Sequence, residues 1–240
     1  MTELAQVIQA DKQVKSKKRV ADHGEVFTSE REVNAMLDLV KDETKRIEST
    51  FLEPACGNGN FLAEVLRRKL VIVNDWYTTS QPQWERNATQ AIASVYGVDI
   101  LEDNVAECRE RLFQIIDAQY TQLFTDRCLV ACQNVFRFIL SRNILWGDAL
   151  NMCTPEEPPV AIVFSEWAFI MNNLVKRRDF IFKNLVTKET PQLSLFNDEG
   201  EAVVIEKAIK EYPLTHFLKL ADNVDNELQP GRTYVLSQPE

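Results

Sequence analysis

The segment Glu53-Pro54-Ala55-Cys56-Gly57-Asn58-Gly59-Asn60-Phe61 holds the residues best suited by type and spacing to do chemistry. It follows the apolar Phe51-Leu52 and runs into Leu62-Ala63-Glu64-Val65-Leu66-Arg67-Arg68, whose apolar spacing suits an amphipathic helix. A strand, a Gly-x-Gly turn and a helix N-terminus bring bare backbone close to a ligand, with helix-start N–H groups beside it. The plainer alternative is a turn whose glycines only end a strand. Two aspartates follow. Asp99 closes Tyr96-Gly97-Val98-Asp99-Ile100, and Asp148 stands in Gly147-Asp148-Ala149-Leu150, each after an apolar stretch that reads as a strand. A carboxylate at the first place can accept from ribose hydroxyls, and one at the second from an exocyclic amine. Alone, either could be a strand-end turn or a helix cap. Asp99 lies farther from the glycines than the ~20 residues usual in dinucleotide folds, a gap that an insertion at 71–88 accounts for.

The elements that must position these residues alternate along the chain. Residues 1–20 read as a helix or loose arm. Thr28 or Ser29 can cap a helix carrying Val33, Met36, Leu37, Leu39 and Val40, with Glu32 three residues after Ser29. Residues 41–50 are charged and solvent-facing. A first strand is expected at 51–55 and its helix at about 60–70. Asn74-Asp75, Thr78-Thr79-Ser80 and Pro82 mark 71–88 as an inserted loop. A second strand is expected at 92–100, and a helix at 104–119 with Val105, Cys108, Leu112, Ile115 and Ile116 on one side. Another helix fits 129–140, a third strand 143–148 and a fourth 160–164. Beyond 171 the pattern is less regular, with a turn at 197–201, a short strand at 202–205 and a turn at Pro230-Gly231. Strands alternating with helices indicate an α/β domain with a mostly parallel sheet.

The chain has 240 residues, enough for one sizeable domain, or a core with an appended piece. No apolar run approaches the ~20 residues that cross a bilayer, and a polar N-terminus lacks a signal-peptide pattern, so cytoplasmic residence is expected. Five cysteines form no CxxC pair and only two histidines accompany them, which argues against a zinc site or a disulfide framework and leaves no metal expected. A formal charge of −9 argues against a strongly basic nucleic-acid binder without excluding one. Local patches still count, and two exist: Lys12, Lys15, Lys17, Lys18 and Arg19, and then Lys176, Arg177 and Arg178. Each is either a phosphate-binding patch or a solvated surface.

The stretch Glu53 to Phe61 closely resembles the S-adenosylmethionine-binding motif of DNA adenine-N6 methyltransferases. Gly24-Glu25-Val26-Phe27-Thr28-Ser29 looks like the family's upstream motif, with Ser29 where proline is common; Tyr96–Ile100 resembles its ribose segment and Gly147–Leu150 its adenine segment. The resemblance runs in the family's order across 23–150. It implies a Rossmann-like class I methyltransferase fold in a single domain over 1–240. That fold has a mostly parallel sheet with helices on both faces, a cofactor-binding core over 20–165 and an irregular C-terminal extension over 166–240. It also implies S-adenosylmethionine as cofactor, held by Thr28, Glu53, Ala55, Gly57, Asp99 and Asp148, and a link to DNA and to restriction-modification systems.

The family's chemistry needs Asn/Asp-Pro-Pro-Tyr/Phe after the fourth strand, to accept from the target amine and stack on the extruded base. That tetrapeptide is absent. In its place stand Ser165, Glu166 and Trp167, followed by Ala168-Phe169. They could supply an acceptor, a base and a stacking ring, or they belong to a hairpin and do no chemistry. Three functions stay open: a methyltransferase acting on DNA adenine, an accessory or antirestriction subunit that binds cofactor or a partner chain supplying catalysis, and a methyltransferase for another substrate.

Overall fold

The computed structural model describes residues 14–187, 194–196, 202–204 and 208–222. Among the described residues three helices precede the first strand: α1 (Lys17–His23), α2 (Glu30–Leu39) and α3 (Lys41–Thr44). The Ser16 hydroxyl accepts from Arg19 N to start α1, and Gly24 ends it in the left-handed region. Ser29 and Glu32 form the expected capping box on α2. That helix buries only Val33 and Leu37, and leaves Met36 and Leu39 exposed.

The site-bearing segments fall on three short strands, β1 (Phe51–Glu53), β2 (Val95–Asp99) and β3 (Ile144–Trp146), parallel and in the order β1-β2-β3. Phe51 lies opposite Val95, and Gly97 opposite Ile144. Parallel neighbours need crossovers of a dozen or more residues, and each crossover here is a pair of helices. Between β1 and β2 run α4 (Asn60–Tyr77) and α5 (Gln81–Ala93); between β2 and β3 run α6 (Glu102–Phe124) and α7 (Val130–Asn143). Leu66 and Leu70 of α4, Trp84 of α5, Leu112 and Ile116 of α6 and Phe136 of α7 form one buried cluster with Val95 and Ile144. Trp84 stacks on Tyr120 with ring centroids 5.3 Å apart.

The loop expected at 71–88 is a helical hairpin instead. The apolar period continues beneath its polar positions, with Leu70 and Val73 buried while Trp76 faces out, so α4 runs through Asn74-Asp75 and only Thr78 to Ser80 turn. Pro82 falls in the first turn of α5, where a missing N–H breaks no helical bond. The second strand starts later than expected because Ile92 and Ala93 finish α5 inside the helical core.

After β3 the architecture changes. β4 (Val163–Phe169) and β5 (Leu174–Ile181) form an antiparallel hairpin that pairs Phe164 with Phe180 and Trp167 with Arg177. The link at 170–173, with Asn173 at φ 61, is too short for a parallel crossover, so β5 returns antiparallel. Next come α8 (Phe182–Thr187), a small hairpin of β6 (Ser194–Phe196) and β7 (Ala202–Val204), and then β8 (Lys210–Glu211) and β9 (Thr215–His216), both antiparallel to β5.

The expected fourth strand does not join the parallel sheet. Residues around it are tied elsewhere, Ile162 N donating to Met152 O at 3.1 Å and Phe182 N to Ile162 O at 2.8 Å. Parallel pairing is therefore confined to the three-stranded sheet, and the other described sheets are antiparallel, where a mostly parallel sheet was expected. The face opposite the helices carries Val98 and Leu145 against Ile162, Phe164 and Phe182, where further helices were expected. Described parts of 166–240 are strand-rich rather than irregular. The turns expected at 197–201 and Pro230-Gly231, and Lys12, lie outside the described residues. Among the described residues no helix is long and apolar enough to cross a membrane.

Candidate functional site

Because β1, β2 and β3 run the same way, their carboxyl ends collect at one end of the sheet and bring Glu53, the glycine turn, Asp99 and Asp148 with them. Ligands of open α/β sheets sit at that end. After β1 the chain folds back on the sheet: Cys56 N donates to Val98 O at 2.9 Å and Gly59 N to Cys56 O at 2.8 Å. Gly59 has φ 86, and a Cβ there would stand 2.6 Å from Cys108 Sγ. Gly57 has φ 51, and a Cβ there would meet the Phe27 ring at 3.0 Å. Backbone angle and space both demand glycine.

The Asp99 carboxylate is the centre of the cluster. It accepts from Gly57 N at 2.8 Å, Leu101 N at 2.9 Å and Asn104 Nδ2 at 3.2 Å. All three donors are uncharged. Asp148 sits one strand over, where Gly147 N donates to Asp99 O at 2.9 Å. Its carboxylate folds its own loop, accepting from Leu150 N at 2.8 Å, Asn151 N at 3.3 Å and Asn151 Nδ2 at 2.6 Å. Desolvation draws that carboxyl upward, and the three hydrogen bonds together outweigh it, so its net shift is downward.

Glu53 is half-buried, and burial raises its carboxyl above the usual range against a bond from the Ala55 amide. Ala55 is exposed. Thr28 is exposed too, and its carbonyl accepts from Asn60 Nδ2 at 3.0 Å, which ties the upstream segment to the start of α4. The fold thus brings Thr28, Glu53, Ala55, Gly57, Asp99 and Asp148 to one end of the sheet.

Asn104, Asp103 and Glu107 of this cluster escaped the sequence reading, in which Lys15 and Arg19 figure only as a basic patch. Asn104 donates to Glu25 Oε1 at 2.8 Å as well as to Asp99, and accepts from Lys15 at 2.9 Å and Arg19 at 3.1 Å. Arg19 also pairs with Asp103 at 2.5 Å and Glu25 at 2.6 Å, and Lys15 with Glu107 at 2.5 Å. The Arg19 bond is the chief cause holding the Asp103 carboxyl down to about 2. With Phe27 against Gly57, these contacts fasten the N-terminal segment across the strand ends. One signal was available: Asn104 shares the buried stripe of Cys108 and Leu112, where an amide needs partners.

Ser165, Glu166 and Trp167 are not brought together. Alternation along β4 puts Ser165 and Trp167 on the inner face and Glu166 on the outer one. Ser165 Oγ donates to Asp179 Oδ1 at 2.7 Å and accepts from Arg177 Nε at 3.0 Å; Trp167 Nε1 donates to Asn143 Oδ1 at 2.9 Å. Glu166 forms an ion pair with Arg178 at 2.6 Å. The basic clusters are also largely neutralised within the chain. Lys176 meets Glu211 at 2.9 Å and Arg177 is buried against Asp179 at 3.0 Å, while Lys17 and Lys18 stay exposed. Among the described residues no group of acidic, His or Cys side chains could hold a metal ion. Compared with known proteins, the chain matches no family model, no curated protein and no solved structure.

Proposed function

We propose that the chain binds S-adenosylmethionine at the carboxyl ends of β1, β2 and β3, as a Rossmann-like, methyltransferase-type protein related to adenine-N6 modification of DNA. The observation that carries this reading is the convergence of a glycine turn, a buried carboxylate with only uncharged donors and a second strand-end carboxylate. They lie in the order that the motif resemblance requires.

The residues suit the group on the following count. A carboxylate offers about four lone-pair sites, and Asp99 uses three of them. One ribose hydroxyl can bind directly, and the second must take the place of a present donor. Gly57 N–H, at the turn itself, is the donor nearest the ligand's path. Glu53 has no side-chain donor among the described residues, so it can accept from an ammonium group. Asp148 can accept from the adenine amine by releasing part of its own loop. The bound donor supplies a methyl group activated by a sulfonium; the protein's part is orientation and electrostatics.

An accessory, non-catalytic role is favoured over independent catalysis by one observation. Ser165 and Trp167 are committed inside the hairpin, and Glu166 is paired outside it. A partner chain would then complete the catalytic and target-reading surfaces, with DNA reached in its company.

Calorimetry with S-adenosylmethionine and S-adenosylhomocysteine tests the shared premise. Saturable binding is expected, weakened about tenfold or more in Asp99→Ala, as follows from losing hydrogen bonds to a charged group. No heat and no saturation at millimolar donor would sink it. Transfer of labelled methyl to unmethylated duplex DNA, expected to be absent for the isolated chain, separates the accessory role from the enzyme.

A further inference from the structure

The side of β1 away from β2 stands apart from the strand-end cluster and is bare among the described residues. Phe51 N donates to Ser94 O at 2.9 Å. In a parallel ladder the next residue, Leu52, therefore turns its N–H and C=O away from β2. Among the described residues no strand pairs with β1 on that side. The Leu52 side chain lies on the same face as its register partner Tyr96 and is 42% exposed. Directly over these two residues opens a cleft of about 500 Å³, bordered by the edge strand and walled by Phe164, Phe180, Phe182 and Leu185. Phe164 meets both Tyr96 and Phe182 edge to face, with ring centroids 5.5 and 5.2 Å apart. The charges at its rim, Glu166 and Arg178, neutralise each other at 2.6 Å.

An unpaired strand edge beside an apolar cleft is the arrangement that recognises an extended peptide. Backbone hydrogen bonds supply affinity, and alternate side chains enter the pocket. An isolated parallel edge is also unusual, since parallel strands are normally covered. In doubly wound sheets the first strand has neighbours on both sides, in the order 3-2-1-4. Here the fourth strand pairs in the antiparallel hairpin, and among the described residues no strand stands on that flank. We infer that β1 and this cleft accept an extended segment of a partner polypeptide as an added strand, with a large uncharged apolar side chain held among Tyr96, Phe164 and Phe180. The neutral rim fits such a segment and offers nothing to a phosphate backbone. A small aromatic molecule would fill the cleft yet leave the Leu52 amide and carbonyl without partners.

The test uses the whole chain and a pool of blocked peptides, about nine residues long, alternating Thr with Val, Leu, Phe or Tyr. Binding is followed by hydrogen exchange at the Leu52 amide and by peptide fluorescence anisotropy. Expected are fast exchange at Leu52 in the free chain and slow exchange with peptide. Affinity should fall about tenfold or more in Leu52→Lys and Leu185→Glu, two exposed positions whose variants should keep the native circular dichroism. N-methylation of the peptide's edge-facing amides should abolish binding. Four results would overturn the inference. They are no binder at millimolar peptide, a Leu52 amide already protected in the monomeric free chain, a dimer that Leu52→Lys dissociates, and saturation by free indole with no peptide binding. None of these outcomes depends on the methyl donor, so this inference and the proposed function stand or fall separately.

Discussion

Asp99 and Asp179 are both sheet carboxylates, 8% and 7% exposed, yet their surroundings differ in kind. Asp179 sits in the antiparallel hairpin with Arg177 at 3.0 Å on both oxygens, Ser165 Oγ at 2.7 Å and Tyr212 Oη at 2.9 Å. Its charge is cancelled and its geometry fixed. Arg177 is in turn boxed by the rings of Tyr212, Trp167 and Phe138. Asp99, at the end of the parallel sheet, meets only uncharged N–H donors, one of them from a glycine turn. No cation bonds to it among the described residues. Residue type and burial alone would have ranked the two alike; only the donors tell them apart, a paired cation on Asp179 and uncharged N–H groups on Asp99.

The sharpest way to break that contrast is to remove the cation from the hairpin. Arg177→Met leaves Asp179 buried without a counter-charge and should cost about 3–5 kcal/mol. A urea unfolding midpoint measures this, and Arg177→Met with Asp179→Leu should recover most of it. Asp99→Asn keeps one oxygen to accept from Leu101 N and Asn104 Nδ2 but sets its NH2 against the Gly57 N–H, so it should cost about 1–3 kcal/mol, less than Arg177→Met, while weakening binding of the methyl donor. If both single variants unfold the chain equally, Asp99 is a structural carboxylate too.

The glycine turn comes next. Gly59→Ala meets Cys108 Sγ at 2.6 Å in a left-handed conformation, so a loss of about 2–4 kcal/mol is expected from overpacking and backbone strain together. Adding Cys108→Ala should return the packing part and leave about 1–2 kcal/mol of strain. Full recovery in the double variant would show that space alone demands the glycine.

Much of this was readable from the chain, for physical reasons that also explain the misses. The glycine turn, the capping box at Ser29 and the strand-end aspartates depend on local backbone geometry, which short motifs encode. The helical hairpin at 60–93 was hidden because Pro82 looks like a breaker, although in the first turn it breaks no bond. Strand β5 was hidden for a different reason. Its buried positions include Val175, Arg177 and Asp179, so an ion pair two residues apart occupies the inward face and the period-2 signal vanishes from hydropathy. The same Arg177 was counted as part of a surface basic patch. Pairing of β4 with β5 is local, across the four-residue link at 170–173, and agrees with the hairpin alternative for Ser165, Glu166 and Trp167.

Lys69 extends the contrast to cations. It is fully buried in the parallel half, and Ile47 O, Ser49 O and Ser94 Oγ accept from it, with no carboxylate bonded. Burial pushes its ammonium down to about 7, from an ordinary 10.5. Between those values the unfolded chain holds more protons than the folded one. Stability should therefore climb as pH rises from 7 toward 10.5, by at most about 1.4 kcal/mol per pH unit, and the climb should fade below pH 7. Lys69→Met should flatten it. Unfolding midpoints at successive pH values for both proteins decide the matter, and identical slopes would mean that the site holds its proton.

The smallest effect separates two neighbours on β4. Glu166 and Arg178 form a half-exposed surface pair, so Glu166→Gln should change stability by about 0–1 kcal/mol, and less at high salt. One residue on, Trp167→Phe removes the indole N–H from Asn143 Oδ1 in the core and leaves a buried acceptor short of a partner, which costs about 1–3 kcal/mol. No hydrogen bond or ion pair among the described residues joins Glu166 to Glu53, Asp99 or Asp148, so Glu166→Gln should also leave methyl-donor affinity unchanged. A Glu166→Gln variant of native stability that loses donor binding would place the outer face of the hairpin in the donor site and undo the division between the two halves.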